Sequence, residues 1–198
     1  MNIIAIESAT TICGVALFID NKIKDIDEVN QSQVHSQRLP IIVESMLKNH
    51  LININELDGI AISSGPGSYT GLRIGMSFAK GLAISGNINI IPVPTILAIN
   101  YSIQQKGKYW IVLHSHKDYV YSQYYDSGKP LTEIIFNKFQ PKEKEIIYGF
   151  NLEKLCNDFI LTPPSVESVG KFALQEYENL KKDNLSQITP DYISNINI

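Results

Sequence analysis

A glycine-rich stretch at positions 64–75, SGPGSYTGLRIG, has the clearest potential for chemistry. A glycine bend that leads into a helix can offer backbone N–H groups to an anion. A Walker-type phosphate loop needs the pattern G-x-x-x-x-G-K-[ST], but Gly71 is followed by Leu72, and Pro66 removes one N–H donor. The stretch therefore disfavours a nucleotide loop and leaves weak anion binding at a helix start open.

Glu7 is a candidate acid, since it ends an apolar strand, Asn2–Glu7, and precedes the polar turn Ser8–Thr11. Kinase-type transfer needs one carboxylate near the metal and another that activates the attacking group. This turn contains no glycine, which hinders a close approach of its backbone to a phosphate. We therefore favour a structural role for Glu7 over a catalytic one.

His114 and His116 alternate along a predicted strand and would share one face, which suits two metal ligands. A third ligand is not apparent near them, and the spacing of a metallopeptidase is missing from the sequence. A solvated hairpin turn explains them more simply. We predict no intrinsic cofactor and no metal.

Tyrosines and a tryptophan are concentrated at positions 109–125, where they could stack on RNA bases. Such sites combine rings with cations, and only Lys108 and Lys117 lie nearby. Cross-strand aromatic packing is the simpler interpretation.

The composition is that of a globular protein with no basic excess. The chain has 198 residues, 44% of them hydrophobic and 19% charged, with a net charge of -3. Direct binding to nucleic acid phosphates is therefore disfavoured. Cys13 and Cys156 show no pairing pattern, and the N-terminus resembles no signal peptide. No apolar segment is long enough to cross a bilayer, so we predict a cytoplasmic protein without membrane association.

Apolar patterns predict the order βββαβαβα for the first half of the chain, a mixed sheet with helices on both faces. The predicted strands span 2–7, 12–19, 22–29, 59–63 and 88–93, and the predicted helices span 36–49, 72–84 and a stretch ending near Gln104.

The strand and turn pattern begins again after a polar segment at 105–108, at an offset of 106 residues. We therefore predict two domains, residues 1–104 and residues 105–198. In the second we expect strands at 110–113, 119–125, 131–136, 145–148 and 159–161, a helical turn at 152–156, a helix at 166–181, and a tail at 188–198 that can fold back.

The predicted helix 72–84 is apolar over about twice the 100° arc of an ordinary surface helix. Such a helix either lies centrally in the core or needs a second protein to cover it. On the second interpretation, the apolar residues of this helix and of helix 36–49 form a partner-binding patch. Its predicted members are Leu39, Ile42, Val43, Met46, Leu72, Met76, Ala79 and Ala83.

Several segments resemble the TsaB (YeaZ) family of bacterial tRNA threonylcarbamoyladenosine biosynthesis proteins, once grouped with glycoprotease-like proteins. They are the bend at 64–75 with its continuation to Ala83, the opening at 3–10, residues 35–40, the hairpin at 117–121 and Pro190–Ile193. The likeness is strong in the first half and loose in the second. The chain departs from the family at Glu7, where many members have aspartate, and at 114–116, where an Asp-Ala-Arg-like stretch is expected.

The resemblance implies an α/β, two-lobed actin-like or sugar-kinase-like (ASKHA) fold with duplicated βββαβα units and a reduced second lobe. It also implies a non-catalytic subunit that pairs through its first-lobe helices with TsaD, a catalytic homologue, while a TsaE-like ATPase joins them. The complex would transfer a threonylcarbamoyl group from its ATP-derived adenylate to adenosine 37 of tRNA, and this chain would meet tRNA only through the complex. Alone, the chain would form a homodimer through the same patch.

Two other functions stay open on the sequence. One is an enzyme of the same fold, a small phosphotransferase or a glycoprotease-like peptidase, which predicts affinity for ATP or metal. The other is a direct tRNA-binding module, which predicts salt-dependent tRNA affinity of the chain alone.

Overall fold

A five-stranded mixed sheet organises the first lobe in this computed structural model, which describes residues 1–140 and 144–193. The strand order is β3-β2-β1-β4-β5, with β1 to β3 antiparallel and with β4 and β5 parallel to β1. The predicted opening meander is confirmed. The strands are β1 Ile3–Glu7, β2 Ile12–Ile19, β3 Lys22–Asn30, β4 Gly59–Gly65 and β5 Asn89–Pro94.

Two helices, α1 (His35–Asn49) and α2 (Tyr69–Gly86), cover one face of this sheet. A short 3₁₀ turn, Ile54–Glu56, follows α1, and α3 (Thr95–Ser102) follows β5. Helix α2 starts earlier than the predicted Leu72 because the Ser68 hydroxyl accepts a hydrogen bond from the Gly71 N–H at 3.2 Å.

The second sheet repeats this topology. Its order is β11-β10-β6-β7-β8, with β9 also on β7; β6 and β7 are antiparallel, while β10 is parallel to β6 and β11 to β10. The duplication predicted from the 106-residue offset is therefore present as strand order. The strands are β6 Lys108–His116, β7 Tyr119–Asp126, β8 Lys129–Pro130, β9 Ile135–Lys138, β10 Ile146–Phe150 and β11 Ile160–Leu161.

The second lobe is the reduced copy, as predicted. In the described residues between β9 and β11, no helix corresponds to α1 or α2. The predicted strand 131–136 is wrong in its extent, since β8 ends at Pro130 and β9 begins at Ile135.

The last helices, α4 (Val166–Gln175) and α5 (Tyr177–Leu180), are separated at Glu176, so the single predicted helix 166–181 is interrupted. Helix α4 packs on the face of the first sheet opposite α1 and α2. The prediction that residues 105–198 all belong to the second lobe is therefore wrong for α4. Its apolar stripe is buried by the first lobe, with Val166, Val169 and Ala173 lying against Ile3, Ala5, Ala16 and Phe18.

Residues 182–193 form a C-terminal strap around the edge of the first sheet. Lys182 exchanges two backbone hydrogen bonds with Ile90 of β5, and Ile188 is buried in the core beneath α1 and α2. The Asp191 N–H then donates to the Ser64 carbonyl at 2.7 Å. The expectation that the tail folds back is confirmed to Ile193, and residues 194–198 lie outside the described part of the chain.

In the part of the chain that the structure describes, no helix is both long and apolar enough to cross a membrane.

Candidate interaction site

The glycine bend packs directly against the turn between β1 and β2. The Ser68 N–H donates to the Ala9 carbonyl at 2.6 Å. A Cβ atom on Gly71 would lie 2.2 Å from the Ser8 carbonyl oxygen, and one on Gly75 would lie 2.0 Å from the Ser8 hydroxyl. Such distances exclude any side chain, so glycine at these positions brings α2 onto the turn rather than forming a cradle for a ligand.

Two backbone donors of the turn, the N–H groups of Ser8 and Ala9, are used within the chain. The Ser8 N–H donates to the Ser63 hydroxyl at 3.2 Å, and the Ala9 N–H donates to Glu7 Oε1 at 2.6 Å. The Ile12 N–H donates to the Thr10 hydroxyl at 3.1 Å. A phosphate that used the Ser8 or Ala9 N–H would have to displace these bonds, because backbone N–H groups are what a phosphate-binding turn offers.

The Glu7 side chain is fully buried on the α4 side of the first sheet. Burial raises the pKa of its carboxyl group from 4.5 to about 8, against the lowering effect of the Ala9 N–H. Its Oε2 atom has no hydrogen-bond partner among the described residues. Burial therefore favours the protonated, neutral form of Glu7 at neutral pH.

Glu28 is a second carboxyl group near Glu7, and Gly14 lies between them. Glu7 pairs with Gly14 across β1 and β2, and Gly14 pairs with Glu28 across β2 and β3. Glu28 Oε2 accepts the N–H of Val166 at the start of α4 at 2.6 Å. Burial raises the pKa of Glu28, and the charge of Glu28 in turn raises the pKa of Glu7. The pair therefore ties the first sheet to α4 and holds protons more tightly than exposed acids do.

A cleft of about 820 Å³ lies between the lobes, lined by residues of the first turn, the bend and the second hairpin. Two of its lining residues are the candidate metal ligands, His114 and His116. His114 Nε2 lies 2.9 Å from the Lys117 carbonyl oxygen, while the His116 ring stacks on Tyr119 at 5.3 Å. A register shift between the two histidines breaks the simple alternation from which a shared face was predicted. Within the described ranges, no three potential ligand side chains form a metal-holding group.

The aromatic residues of the second lobe pack on one another across strands. Tyr109 stacks on Tyr125 at 5.6 Å between ring centroids, and Trp110 stacks on Tyr124 at 4.6 Å. Both Tyr109 and Tyr125 are fully buried. This is the cross-strand packing that the sequence favoured over an RNA platform.

The eight side chains predicted to bind a partner are buried within the lobe. All have an exposed fraction of 5% or less, and all but Leu72 belong to the core between the helices and the sheet. The prediction that they form a contact patch is wrong, because the most apolar face of each helix turns toward its own sheet. These residues are Leu39, Ile42, Val43, Met46, Leu72, Met76, Ala79 and Ala83.

Apolar side chains on the other sides of α1 and α2 are the ones that reach solvent. Ile41 is 66% exposed and Ile84 is 70% exposed. Ile74, Phe78 and Leu82 are half-buried at the margin of the core. The excess apolar arc of α2 is therefore real, but the residues available to a partner differ from those predicted.

Arg73, near the start of α2, stacks on the ring of Tyr69 and lies beside the ring of Tyr192. Its Cζ atom is 3.7 Å from the Tyr69 ring centroid and 5.7 Å from that of Tyr192, which belongs to the strap. The Arg73 Nε–H donates to the Tyr192 hydroxyl at 3.0 Å, and this bond raises the pKa of the guanidinium. Sequence reasoning missed this cluster because Arg73 and Tyr192 are 119 residues apart.

Fold and family comparisons place the chain among proteins related to TsaD. The family model for TsaD, tRNA N6-adenosine threonylcarbamoyltransferase, matches residues 28–173. The structure is similar to that of YeaZ from Pseudomonas aeruginosa, with a TM-score of 0.76, 22% identity, and coverage of 97% of this chain and 99% of that chain. That similarity confirms the predicted two-lobed fold.

The chain belongs to the TsaB family. It is 32% identical to the tRNA threonylcarbamoyladenosine biosynthesis protein TsaB of Buchnera aphidicola subsp. Acyrthosiphon pisum, over 98% of this chain and 97% of that protein. It is 34% identical to the TsaB of Escherichia coli (strain K12), over 54% of this chain and 46% of that protein. The match to the Haemophilus influenzae TsaB likewise covers 42% of that relative, so the chain spans about half the length of the Escherichia coli and Haemophilus influenzae proteins.

Proposed function

We propose that the chain is a non-catalytic subunit of the machinery that makes threonylcarbamoyladenosine at adenosine 37 of tRNA. One observation carries the non-catalytic part. The Ser8 and Ala9 N–H groups of the first turn are used within the chain, and the adjacent Glu7 is buried with its pKa raised to about 8, which favours a neutral acid. Phosphoryl or carbamoyl transfer on this turn would need donors and a charged carboxylate there.

The proposed partner is a TsaD-like catalytic homologue, which docks on the outer side of α1 and α2. Exposed Ile41 and Ile84, together with half-buried Ile74, Phe78 and Leu82, supply apolar area on this side. A partner that covers them removes apolar surface from water, which favours association by about 25 cal/mol per Å² before the costs of ordering. A homodimer through the same side is the proposed state of the chain alone.

Within the complex, a TsaE-like ATPase is the third proposed component. The threonylcarbamoyl adenylate would be handled by the catalytic homologue, and tRNA would be bound by the complex. The net charge of -3 supports the proposal that this chain does not bind tRNA by itself, since the phosphate backbone attracts basic surfaces.

Reconstitution tests the proposed function. Purified TsaD and TsaE homologues, threonylcarbamoyl adenylate and unmodified tRNA are combined with and without this chain, and the modified nucleoside is measured by mass spectrometry. We expect formation to depend on the chain. Formation that is equal without it contradicts the proposal.

The contact surface is tested with Ile84→Glu, which places a charge on the proposed surface, and with Leu131→Glu as a matched control. Leu131 is 52% exposed and lies on the second lobe. We expect loss of binding to the homologue for Ile84→Glu alone. Met76 is unsuitable for this test, because its side chain is only 3% exposed and a charge there would unfold the lobe. Tight ATP binding by the isolated chain in magnesium, measured by calorimetry, would favour the phosphotransferase instead.

A further inference from the structure

We infer that Tyr69, Arg73 and Tyr192 form a preorganised binding site for a carboxylate side chain of the TsaD-like partner. This inference rests on the proposed function and adds a polar contact to its apolar surface. All three side chains are exposed, with Tyr69 at 56% and Tyr192 at 45%. Their arrangement comes from two distant segments, the start of α2 and the strap.

The geometry holds the guanidinium before a ligand arrives. The Tyr69 and Tyr192 ring centroids lie 5.2 Å apart, and both rings lie close to Arg73. One N–H, on Nε, is used by the Tyr192 hydroxyl. Since an arginine has five N–H donors in a planar fork, its outer edge still offers two parallel donors that match a carboxylate. Fixing the side chain in advance reduces the entropy lost on binding.

The charge of Arg73 favours an acidic ligand. Among residues 1–140 and 144–193, the ion pairs join other residues, and none includes Arg73. The groups that perturb its pKa are Tyr192 and Tyr69, with no acid among them. An exposed arginine stacked on tyrosine, without an acid of its own chain, is the composition that is enriched at the centres of protein interfaces.

Continuity with the proposed surface selects the partner. Arg73, Ser77, Gly81 and Ile84 follow one another at helical spacing along α2, and all four are exposed. A protein that covers Ile84 along this stripe therefore reaches Arg73 at the other end of the helix. RNA is the less suitable ligand, because Lys80 is the only other cation of α2 and phosphate-backbone sites need several.

The C-terminal strap supplies one side chain of this site, Tyr192. Tyr192 is held in place by its neighbour Asp191, whose N–H donates to the Ser64 carbonyl and whose Oδ2 accepts the Ser64 hydroxyl at 3.0 Å. The end of the chain thus contributes to a contact that begins in the first lobe.

The experiment measures the affinity of the full chain for its TsaD homologue by calorimetry at low and high salt. For Arg73→Gln we expect a loss of roughly tenfold to a hundredfold and a weaker salt dependence, as for a charged hydrogen-bonded pair. Arg73→Lys keeps the charge but loses the planar fork of donors, so its affinity should lie between those of Arg73→Gln and the unchanged chain. Tyr192→Phe, which keeps the ring, should lose less than Arg73→Gln. Lys154→Gln, which changes an exposed cation of the second lobe away from α2, is the control and should bind within about twofold of the unchanged chain.

A second arm identifies the carboxylate. Arg73→Glu should abolish binding, and reversal of one acidic residue on the homologue should restore it. Unfolding midpoints equal to that of the unchanged chain establish that each variant folds.

Three results overturn the inference. They are unchanged binding of Arg73→Gln to the homologue, an equal loss for Lys154→Gln, and a loss of tRNA binding by Arg73→Gln alone while its binding to the homologue is kept. If the unchanged chain itself does not bind the homologue, the proposed function fails. If the unchanged chain binds and Arg73→Gln binds equally well, only the inference about Arg73 fails.

Discussion

The two lobes share one strand order, yet their outer faces are covered in different ways. In the first lobe, α1 and α2 lie over the sheet, and close contacts at Gly71 and Gly75 bring α2 onto the first turn. In the second lobe, the outer face carries Trp110, Val112, Val120 and Ile147, and Leu152 from an irregular segment packs on it.

The difference shows which kind of packing constrains a sequence. Contact between a helix and a backbone turn requires glycine at particular positions, so it leaves a recognisable motif. Contact among rings and aliphatic side chains can be achieved by many combinations of similar volume. The first lobe therefore carries the family resemblance, while the second retains its strand order with a looser sequence likeness.

The largest expected effect is that of Gly71→Ala in the first lobe. Its Cβ would lie 2.2 Å from the Ser8 carbonyl oxygen, a backbone atom, so α2 or the turn must move. We expect a loss of about 3 kcal/mol or more in the free energy of unfolding, measured in urea.

Gly81→Ala is the control for this change, because it lies on the same helix and a Cβ atom there would meet no other atom within 4 Å. Helix propensity alone predicts a gain of about 0.5–1 kcal/mol there. Equal effects of the two substitutions would show that close approach does not constrain the first lobe.

The next prediction compares the segment that packs on each sheet, helix α2 in the first lobe and the irregular segment of Leu152 in the second, through Met76→Ala and Leu152→Ala. Met76 is 3% exposed beneath α2, and Leu152 is fully buried beneath an irregular segment. An irregular segment can collapse into a cavity more readily than a helix fixed at a turn. We expect losses of about 3–4 kcal/mol for Met76→Ala and about 2 kcal/mol for Leu152→Ala in urea unfolding. The reverse order would contradict the distinction between the covers.

The elements of the first lobe were predictable because each has a strong local signal. Alternating strands, the Asp20–Asn21 turn and the capping residue Ser68 act within a few positions of one another. The second-lobe boundaries were less accurate because β8 and β11 are two residues long. The break at Glu176 has no proline or glycine to mark it.

The site was predictable only in part. The apolar excess of α2 indicated that its surface was unusual, but the helical wheel does not say which half faces the sheet. The structure shows that Met76 and Ala79 do, and that Ile84 does not. Contacts such as that of Arg73 with Tyr192 depend on the path of the strap, which local patterns do not encode.

Glu7→Gln tests whether the buried acid of the first lobe is held neutral. The folded-state pKa of Glu7 is about 8 against 4.5 for a free carboxyl group, so its stabilising effect is complete below about pH 4.5. As the pH rises toward 8, the unfolded chain loses this proton while the folded chain keeps it. Stability should therefore fall by up to about 1.4 kcal/mol per pH unit in this window.

Glutamine mimics the protonated acid, so Glu7→Gln should flatten this part of the stability profile, measured by urea unfolding from pH 5 to 8. A partial slope from Glu28 should persist, because burial raises its pKa too. Exposed Glu153 serves as the control, since Glu153→Gln should leave the profile unchanged. An unchanged slope in Glu7→Gln would mean that Glu7 is ionised in the folded chain.

The smallest expected effect is in the second lobe, at Glu145. Its Oε2 accepts the Trp110 Nε1–H at 2.7 Å, and its Oε1 accepts the Tyr124 hydroxyl at 3.0 Å. Glutamine at this position keeps the shape and one acceptor but loses the charge. We expect Glu145→Gln to cost about 1 kcal/mol or less through the Trp110 bond.

Because Trp110 is the only tryptophan of the chain, its fluorescence follows this lobe specifically. The Trp110 unfolding midpoint should shift slightly, while hydrogen exchange in α2 should not change. Faster exchange in α2 would show that the packing of the two lobes is coupled. It would contradict the view that each sheet is packed independently.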